Sequence, residues 1–124
     1  MTVKQRAMTV RQSVAPANDF REVDVQLSIA GTAQALVILG GPGKLECVRK
    51  FTFFTDLAVY IDLSGAVAVN DGSKDTSILI PAGAEWYEEN VDISPYGDGS
   101  TSQISFINAV GGERPTINGY VAGY

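Results

Sequence analysis

The stretch that decides the fold is LAVYIDLSG at residues 57–65. Its apolar side chains occupy every second position: Leu57, Val59, Ile61 and Leu63. This alternation is typical of a β-strand with one buried face, because successive side chains of a strand point to opposite sides of the sheet. A Ser-Gly pair then ends the pattern. Since no segment of ten residues shows a helical period, the sequence predicts a fold built from strands.

The rest of the chain repeats this pattern between turns rich in Gly, Pro, Asn and Asp. The other strand candidates are residues 23–29, 35–39, 45–54, 66–69, 77–80, 85–93, 103–110 and 116–122. Eight or nine short strands that recur about every 8–12 residues favour an antiparallel sandwich or barrel. We therefore predict an all-β, antiparallel, jelly-roll-like β-sandwich over residues 22–124, preceded by an extended N-terminal arm, residues 1–21.

Charge separates this arm from the body. Residues 1–21 carry four basic residues and one acidic residue, a net charge of +3, whereas residues 22–124 carry five basic and thirteen acidic residues, a net charge of −8. A basic arm can be a solvated tail, or it can bind nucleic acid, an acidic neighbouring surface or another copy of the body. Nucleic acid is the least favoured partner, because the arm has no aromatic residue before Asp19 to stack on bases. We expect acidic groups of a neighbouring chain to contact three basic residues: Lys4, Arg6 and Arg11.

Composition excludes several classes of protein. The chain has 124 residues, no histidine and one cysteine, Cys47. An internal disulfide is therefore excluded, and the commonest general base and metal ligand is missing. The longest apolar run, residues 35–39, is too short for a membrane helix, so we expect no membrane partner. Residues 1–14 contain no apolar segment of the kind found in a signal peptide.

Carboxylates are the only serious catalytic candidates. Four of them cluster beside Trp86 and Tyr87: Glu85, Glu88, Glu89 and Asp92. Paired carboxylates near aromatic sugar platforms are typical of glycosidases. Consecutive residues of a strand point to opposite faces, however, so Glu88 and Glu89 cannot form a pair by themselves. We predict a protein that is not an enzyme and has no catalytic residue, no cofactor and no metal site.

Aromatic residues exceed what one small sandwich can bury. Alternation places Phe51 and Phe53 on one face of their strand and Phe54 on the other. Phe54 therefore packs under a loop or contacts a partner, and the same alternatives hold for Tyr120 and Tyr124. Because aromatic residues are enriched at interface centres, we predict a closed homo-oligomer, with a trimer favoured over a monomer. The candidate partner contacts outside the arm are Phe54, Trp86, Tyr87, Tyr120 and Tyr124.

Two stretches carry a resemblance to a known class of proteins. AVYIDLSG at residues 58–65, followed by a polar turn and ILIPAG at residues 78–83, resembles a pattern of small virion proteins of tailed bacteriophages. ISFIN at residues 104–108 and GYVAGY at residues 119–124 also resemble segments of these virion proteins. The resemblance covers about half of the chain and contains no motif that carries chemistry.

The resemblance implies a β-sandwich, often jelly-roll-like, in a capsid decoration (cement) protein or another small head or tail component. Such a protein is made in the host cytoplasm, works in the virion in many copies, commonly as a trimer, and binds the major capsid protein or another virion protein. The class has no site residues to transfer. The alternative function is a carbohydrate- or receptor-binding β module of a phage fibre or tail, for which Trp86, Tyr87 and Tyr96 are the available aromatic residues.

Overall fold

The computed structural model describes residues 19–93 and 103–124, which form eight β-strands. The first four strands are β1 (Asp19–Gln26), β2 (Gln34–Ile38), β3 (Val48–Thr55) and β4 (Val59–Asp62). The last four are β5 (Ser77–Ile80), β6 (Glu85–Ile93), β7 (Gln103–Asn108) and β8 (Thr116–Gly123). No helix in these two ranges is long and apolar enough to span a membrane.

The strands form two antiparallel sheets of four strands each. Sheet A has the order β1-β8-β3-β6, and sheet B has the order β2-β7-β4-β5. Only β4 and β5 are consecutive strands within one sheet, because the other connections cross from one sheet to the other. Eight strands in two such sheets, with these crossings, are the arrangement of a jelly roll. The predicted all-β, jelly-roll-like sandwich is therefore confirmed.

The core lies between the two sheets and is built by the alternation that the sequence shows. Phe51 and Phe53 of β3 are fully buried and stack with ring centroids 4.9 Å apart. Phe106 of β7 contacts Phe53 edge-on at 5.1 Å, so aromatic rings join the two sheets. Burial of each such side chain stabilises the fold by about 1.5–3 kcal/mol. Cys47, the one cysteine of the chain, is also buried.

The first strand differs from its prediction. It begins at Asp19 and ends at Gln26, where the alternation predicted a strand over residues 23–29. Val23 is buried as expected, but Ile29 lies beyond the end of the strand and is 59% exposed. Beyond β1 the chain turns, and the backbone N–H of Thr32 donates to the carbonyl oxygen of Ile29 at 3.3 Å, so Ile29 lies in a turn outside the sheet.

Residues 66–69 do not form the predicted strand. They belong to the connection 63–76 between β4 and β5, which folds over the outer face of sheet B. The backbone N–H of Ala68 donates to the side-chain oxygen of Ser105, 3.1 Å away, instead of to a neighbouring strand. Ser105 and Ile107 are consequently buried, although Ile107 points away from the core. The connection 63–76 thus covers the part of the outer face of sheet B that Ser105 and Ile107 of β7 form, whereas Leu79 of β5 stays exposed.

A buried carboxylate holds this connection in place. Asp62, the last residue of β4, is fully buried at the outer face of sheet B. Its Oδ1 accepts the backbone N–H of Ser64 at 2.8 Å, while its Oδ2 accepts the hydroxyls of Thr76 at 2.9 Å and Ser77 at 3.3 Å. Both ends of the connection are therefore fastened to one side chain.

Candidate interaction surface

Within residues 19–93 and 103–124, the outer face of sheet A has no counterpart of the connection 63–76, and the strand register places several aromatic side chains on this face. Tyr120 of β8 and Tyr87 of β6 are both directly opposite Thr52 of β3. Phe54 lies two residues further along β3, on the same face. Phe20 is on this face of β1, opposite Ala122.

These four aromatic side chains form a surface that we name the aromatic face: Phe20, Phe54, Tyr87 and Tyr120. Phe20 is 58% exposed, Tyr87 is 48% exposed and Phe54 is 39% exposed, whereas Tyr120 is half-buried. The rings of Phe20 and Tyr120 contact each other with centroids 5.9 Å apart. Phe20, Phe54 and Tyr87, distributed over three strands of this face, therefore leave apolar surface in contact with solvent.

Carboxylates surround the aromatic face. The register places four exposed acidic side chains on the same side of sheet A: Glu22, Asp24, Glu85 and Glu89. Lys50 is the one basic side chain that the register of β1, β8, β3 and β6 places among them, so this part of the surface carries a net charge of −3. The Lys50 ammonium lies 5.4 Å from the centre of the Phe20 ring, a cation–π contact.

Tyr87 is tied to one of these carboxylates. Its hydroxyl donates to Glu89 Oε2 at 2.9 Å, and this bond is the main reason why the pKa of Tyr87 lies above its ordinary value. The ring of Tyr87 is exposed, and its hydroxyl is directed to the Glu89 carboxylate. The face can therefore offer both apolar contact and hydrogen-bond acceptors to a partner.

Trp86 lies on the other side of β6. It faces the core side of sheet A, where its indole packs edge-on against Phe51 at 5.6 Å, and it is half-buried. Its Nε1 donates to Glu88 Oε1 at 3.0 Å. Glu88 is opposite Phe51 in the register, whereas Glu89 is opposite Lys50, so the two carboxylates lie on opposite faces as the sequence predicted. Trp86 and Tyr87 cannot form one platform, because the sheet separates them.

Tyr124 lies beyond the end of β8, among a different set of groups. Its backbone pairs with that of Cys47, and the Cys47 thiol donates to Asp92 Oδ1 at 3.1 Å. Burial and the Asp92 carboxylate raise the pKa of Cys47, and the neighbouring thiol raises the pKa of Tyr124. The Cys47 thiol therefore stays protonated at neutral pH, a state unsuited to nucleophilic chemistry.

A small groove opens elsewhere, between the edge strands β1 and β2. Its volume is about 250 Å³, and apolar side chains of both sheets form its floor, among them Val23, Val37 and Leu45. Arg21 crosses it and donates to the carbonyl oxygen of Gly43 at 3.4 Å. The groove is open, and it lies on the opposite edge of sheet A from Tyr87.

The structure brings together three of the predicted contact residues: Phe54, Tyr87 and Tyr120. It separates Trp86 and Tyr124 from them. Lys4, Arg6, Arg11 and Tyr96 lie outside the described residues. Phe20 and Glu22 were missed because the first strand was predicted to begin at residue 23, whereas it begins at Asp19. Extending the alternation backwards by three residues from Val23, which is buried, would have placed Phe20 on the outer face.

Within residues 19–93 and 103–124, no three Cys, Asp or Glu side chains are grouped so that they could hold a metal ion. Comparison of the chain with models of known protein families, with curated proteins and with solved structures finds no match.

Proposed function

We propose that this protein is a non-catalytic structural subunit of a tailed-bacteriophage virion, a capsid decoration protein that self-associates and binds the capsid lattice. The observation that carries the proposal is the aromatic face. Exposed apolar side chains that are gathered on one face and rimmed by polar residues are typical of sites that contact another protein. Aromatic residues are also enriched at the centres of such contacts.

The two sheets of the sandwich support this interpretation by their difference. The chain covers part of the outer face of sheet B, over β7, with its own connection 63–76, which Asp62 anchors. In the described part of the chain, sheet A has no such cover, and its outer face carries the larger share of exposed aromatic residues. A partner that buries the aromatic face would do for sheet A what the connection 63–76 does for sheet B.

The virion part of the proposal rests on the resemblance of residues 58–65 and 78–83 to small phage virion proteins. Residues 58–65 include β4 and Asp62, which fastens the connection 63–76, and residues 78–83 include the end of β5. Both stretches therefore contribute to a jelly-roll scaffold with no chemistry of their own. A closed oligomer, most simply a trimer, would bury the aromatic face without leaving an adhesive patch.

Replacement of Phe54 by Ser tests the role of the aromatic face. Phe54 is 39% exposed on the outer face, so Phe54→Ser should leave the melting temperature within a few degrees of the wild type. Removal of an aromatic side chain near the centre of an interface should weaken self-association at least about tenfold, measured by sedimentation. Val110→Ser removes a similarly exposed apolar side chain outside sheet A and should change neither quantity. Loss of folding in Phe54→Ser would instead identify a core residue.

The virion assignment has its own test. Quantitative mass spectrometry of purified phage particles should detect the protein in many copies per particle, in a fixed ratio to the major capsid protein. Absence from particles, with the protein present in infected cells, would contradict a virion role.

A second candidate function is a carbohydrate- or receptor-binding module of a fibre or tail. The exposed Tyr87 ring between Glu85 and Glu89 favours it, because sugars stack on aromatic rings and donate hydroxyl hydrogen bonds to carboxylates. A glycan array probed with the wild type and with Tyr87→Ala distinguishes the two. Binding that is lost in Tyr87→Ala would favour the module, whereas a negative array together with self-association would favour the decoration protein.

A further inference from the structure

We infer that the aromatic face is the docking surface for residues 1–18 of a second copy of this chain. The inference rests on the proposed function and specifies the partner that the same surface takes. It follows from the charges of the face, from the charges of the preceding segment and from the position where β1 begins.

The charges of the two surfaces are complementary. The aromatic face is surrounded by four carboxylates and Lys50, a net charge of −3. Residues 1–18 carry Lys4, Arg6 and Arg11 and no acidic residue, a net charge of +3. Residues 22–124 as a whole are strongly acidic, so residues 1–18 are the part of the chain with the opposite sign. Complementary charge selects partners and sets register at protein interfaces.

Direct contact between two aromatic faces is disfavoured by the same charges. In a two-fold contact, the same surface of both copies meets. Glu22, Glu85 and Glu89 of one copy would then lie near the same carboxylates of the other copy. Like charges in close apposition are repulsive. The face therefore requires a different, basic surface, and a head-to-tail contact of this kind can close into a ring such as a trimer.

The chemistry of residues 1–18 also suits an aromatic surface. Lys50 already rests over the Phe20 ring, so the face accepts a cation on its aromatic side chains. Arginine guanidinium groups make such contacts more often than lysine does. Val3, Met8 and Val10 supply apolar side chains that can cover exposed rings, and methionine sulfur contacts aromatic rings favourably.

The length of this segment allows it to reach a neighbouring copy. Eighteen residues span up to about 60 Å when extended. Sheet A is about 14 Å wide between its edge strands, from three strand spacings. Asp19 begins an edge strand at the end of sheet A, opposite Gly123, so the segment enters the fold at the margin of the sheet. It can therefore extend past its own sheet to the face of another copy.

Charge reversal in two separate chains tests the inference on the full-length protein. In the first chain Lys4, Arg6 and Arg11 are each replaced by Glu. In the second, Glu22, Glu85 and Glu89 are each replaced by Lys. All six positions are polar, and the melting temperature of each chain establishes that it folds. The oligomeric state of each chain, and of an equimolar mixture, is measured by sedimentation at low ionic strength.

Each reversed chain alone should associate at least about tenfold more weakly than the wild type, because three ion pairs at the margin of the contact become repulsive. The mixture should recover part of the association, because every contact between unlike chains joins a segment and a face of opposite charge, and two of the three contacts in a mixed trimer are of this kind. Recovery in the mixture requires contact between copies. A further chain carries all six changes at once. If this chain associates as the wild type does, but mixing the two reversed chains leaves their association weak, residues 1–18 dock on the body of their own chain. That result would overturn the inference.

Two further outcomes separate this inference from the proposed function. If both reversed chains associate as strongly as the wild type while Phe54→Ser does not, the aromatic face remains the interface, but residues 1–18 are not its partner. If the wild type itself stays monomeric at every concentration and on capsids, self-association and the inference fail together.

Discussion

Gly119→Ala is expected to lower the free energy of unfolding by about 3–5 kcal/mol, a large share of the stability of a domain of this size. Gly119 lies in the middle of β8, a central strand of sheet A, with a φ of 151°. A Cβ atom at this position would overlap the carbonyl oxygen of Thr52 on β3. Both the backbone conformation and the approach of the two strands therefore require a glycine.

Gly111→Ala provides the matched control. A Cβ atom at Gly111 meets nothing within 4 Å, and its φ is not in the left-handed region. The stability of Gly111→Ala, measured by urea denaturation beside Gly119→Ala, should equal or slightly exceed that of the wild type, because alanine restricts the unfolded chain. Equal stability of the two variants would contradict the close pairing of β3 and β8.

Asp62→Ala is expected to lower the free energy of unfolding by about 3 kcal/mol. The change leaves the backbone N–H of Ser64 and the hydroxyls of Thr76 and Ser77 without their buried acceptor. The connection 63–76 should then separate from sheet B. Amide hydrogen exchange at Ala68, whose N–H donates to Ser105 in the folded chain, reports on that separation directly.

Two comparisons isolate the role of the buried carboxylate. Asp71 accepts the backbone N–H of Ser73 in the same Asx geometry but is exposed, so Asp71→Ala should lower the free energy of unfolding much less than Asp62→Ala does. Asp62→Asn keeps one acceptor oxygen and should recover most of the loss, since hydroxyl groups can also accept hydrogen bonds. A loss in Asp62→Ala no larger than in Asp71→Ala would contradict the anchoring role.

Local alternation predicted much of the sandwich, because the period of two is a property of each strand by itself. Phe51 and Phe53 inside and Phe54 outside follow from it directly. The failure at residues 66–69 has a non-local cause, since the partner of Ala68 is Ser105, 37 residues away. Short apolar segments of this kind carry the same pattern whether they pair in a sheet or cover one.

The candidate surface could be predicted only in part. Alternation identified Phe54 as an outward residue, but its neighbours Tyr87 and Tyr120 are set by the register of β3 with β6 and β8, which depends on distant residues. Trp86 was grouped with Tyr87 by sequence proximity, yet adjacent strand residues face opposite ways, and the indole packs on Phe51. The ring of carboxylates likewise combines residues of β1 and β6, the two edges of one sheet.

The molar mass of the full-length protein in solution tests the central claim, self-association through the aromatic face, most directly. Light scattering coupled to size exclusion, at micromolar concentration and low ionic strength, should give a multiple of the 13.2 kDa chain. A trimer would have about 40 kDa, three times that mass. A mass of 13.2 kDa over the whole concentration range would contradict self-association in solution.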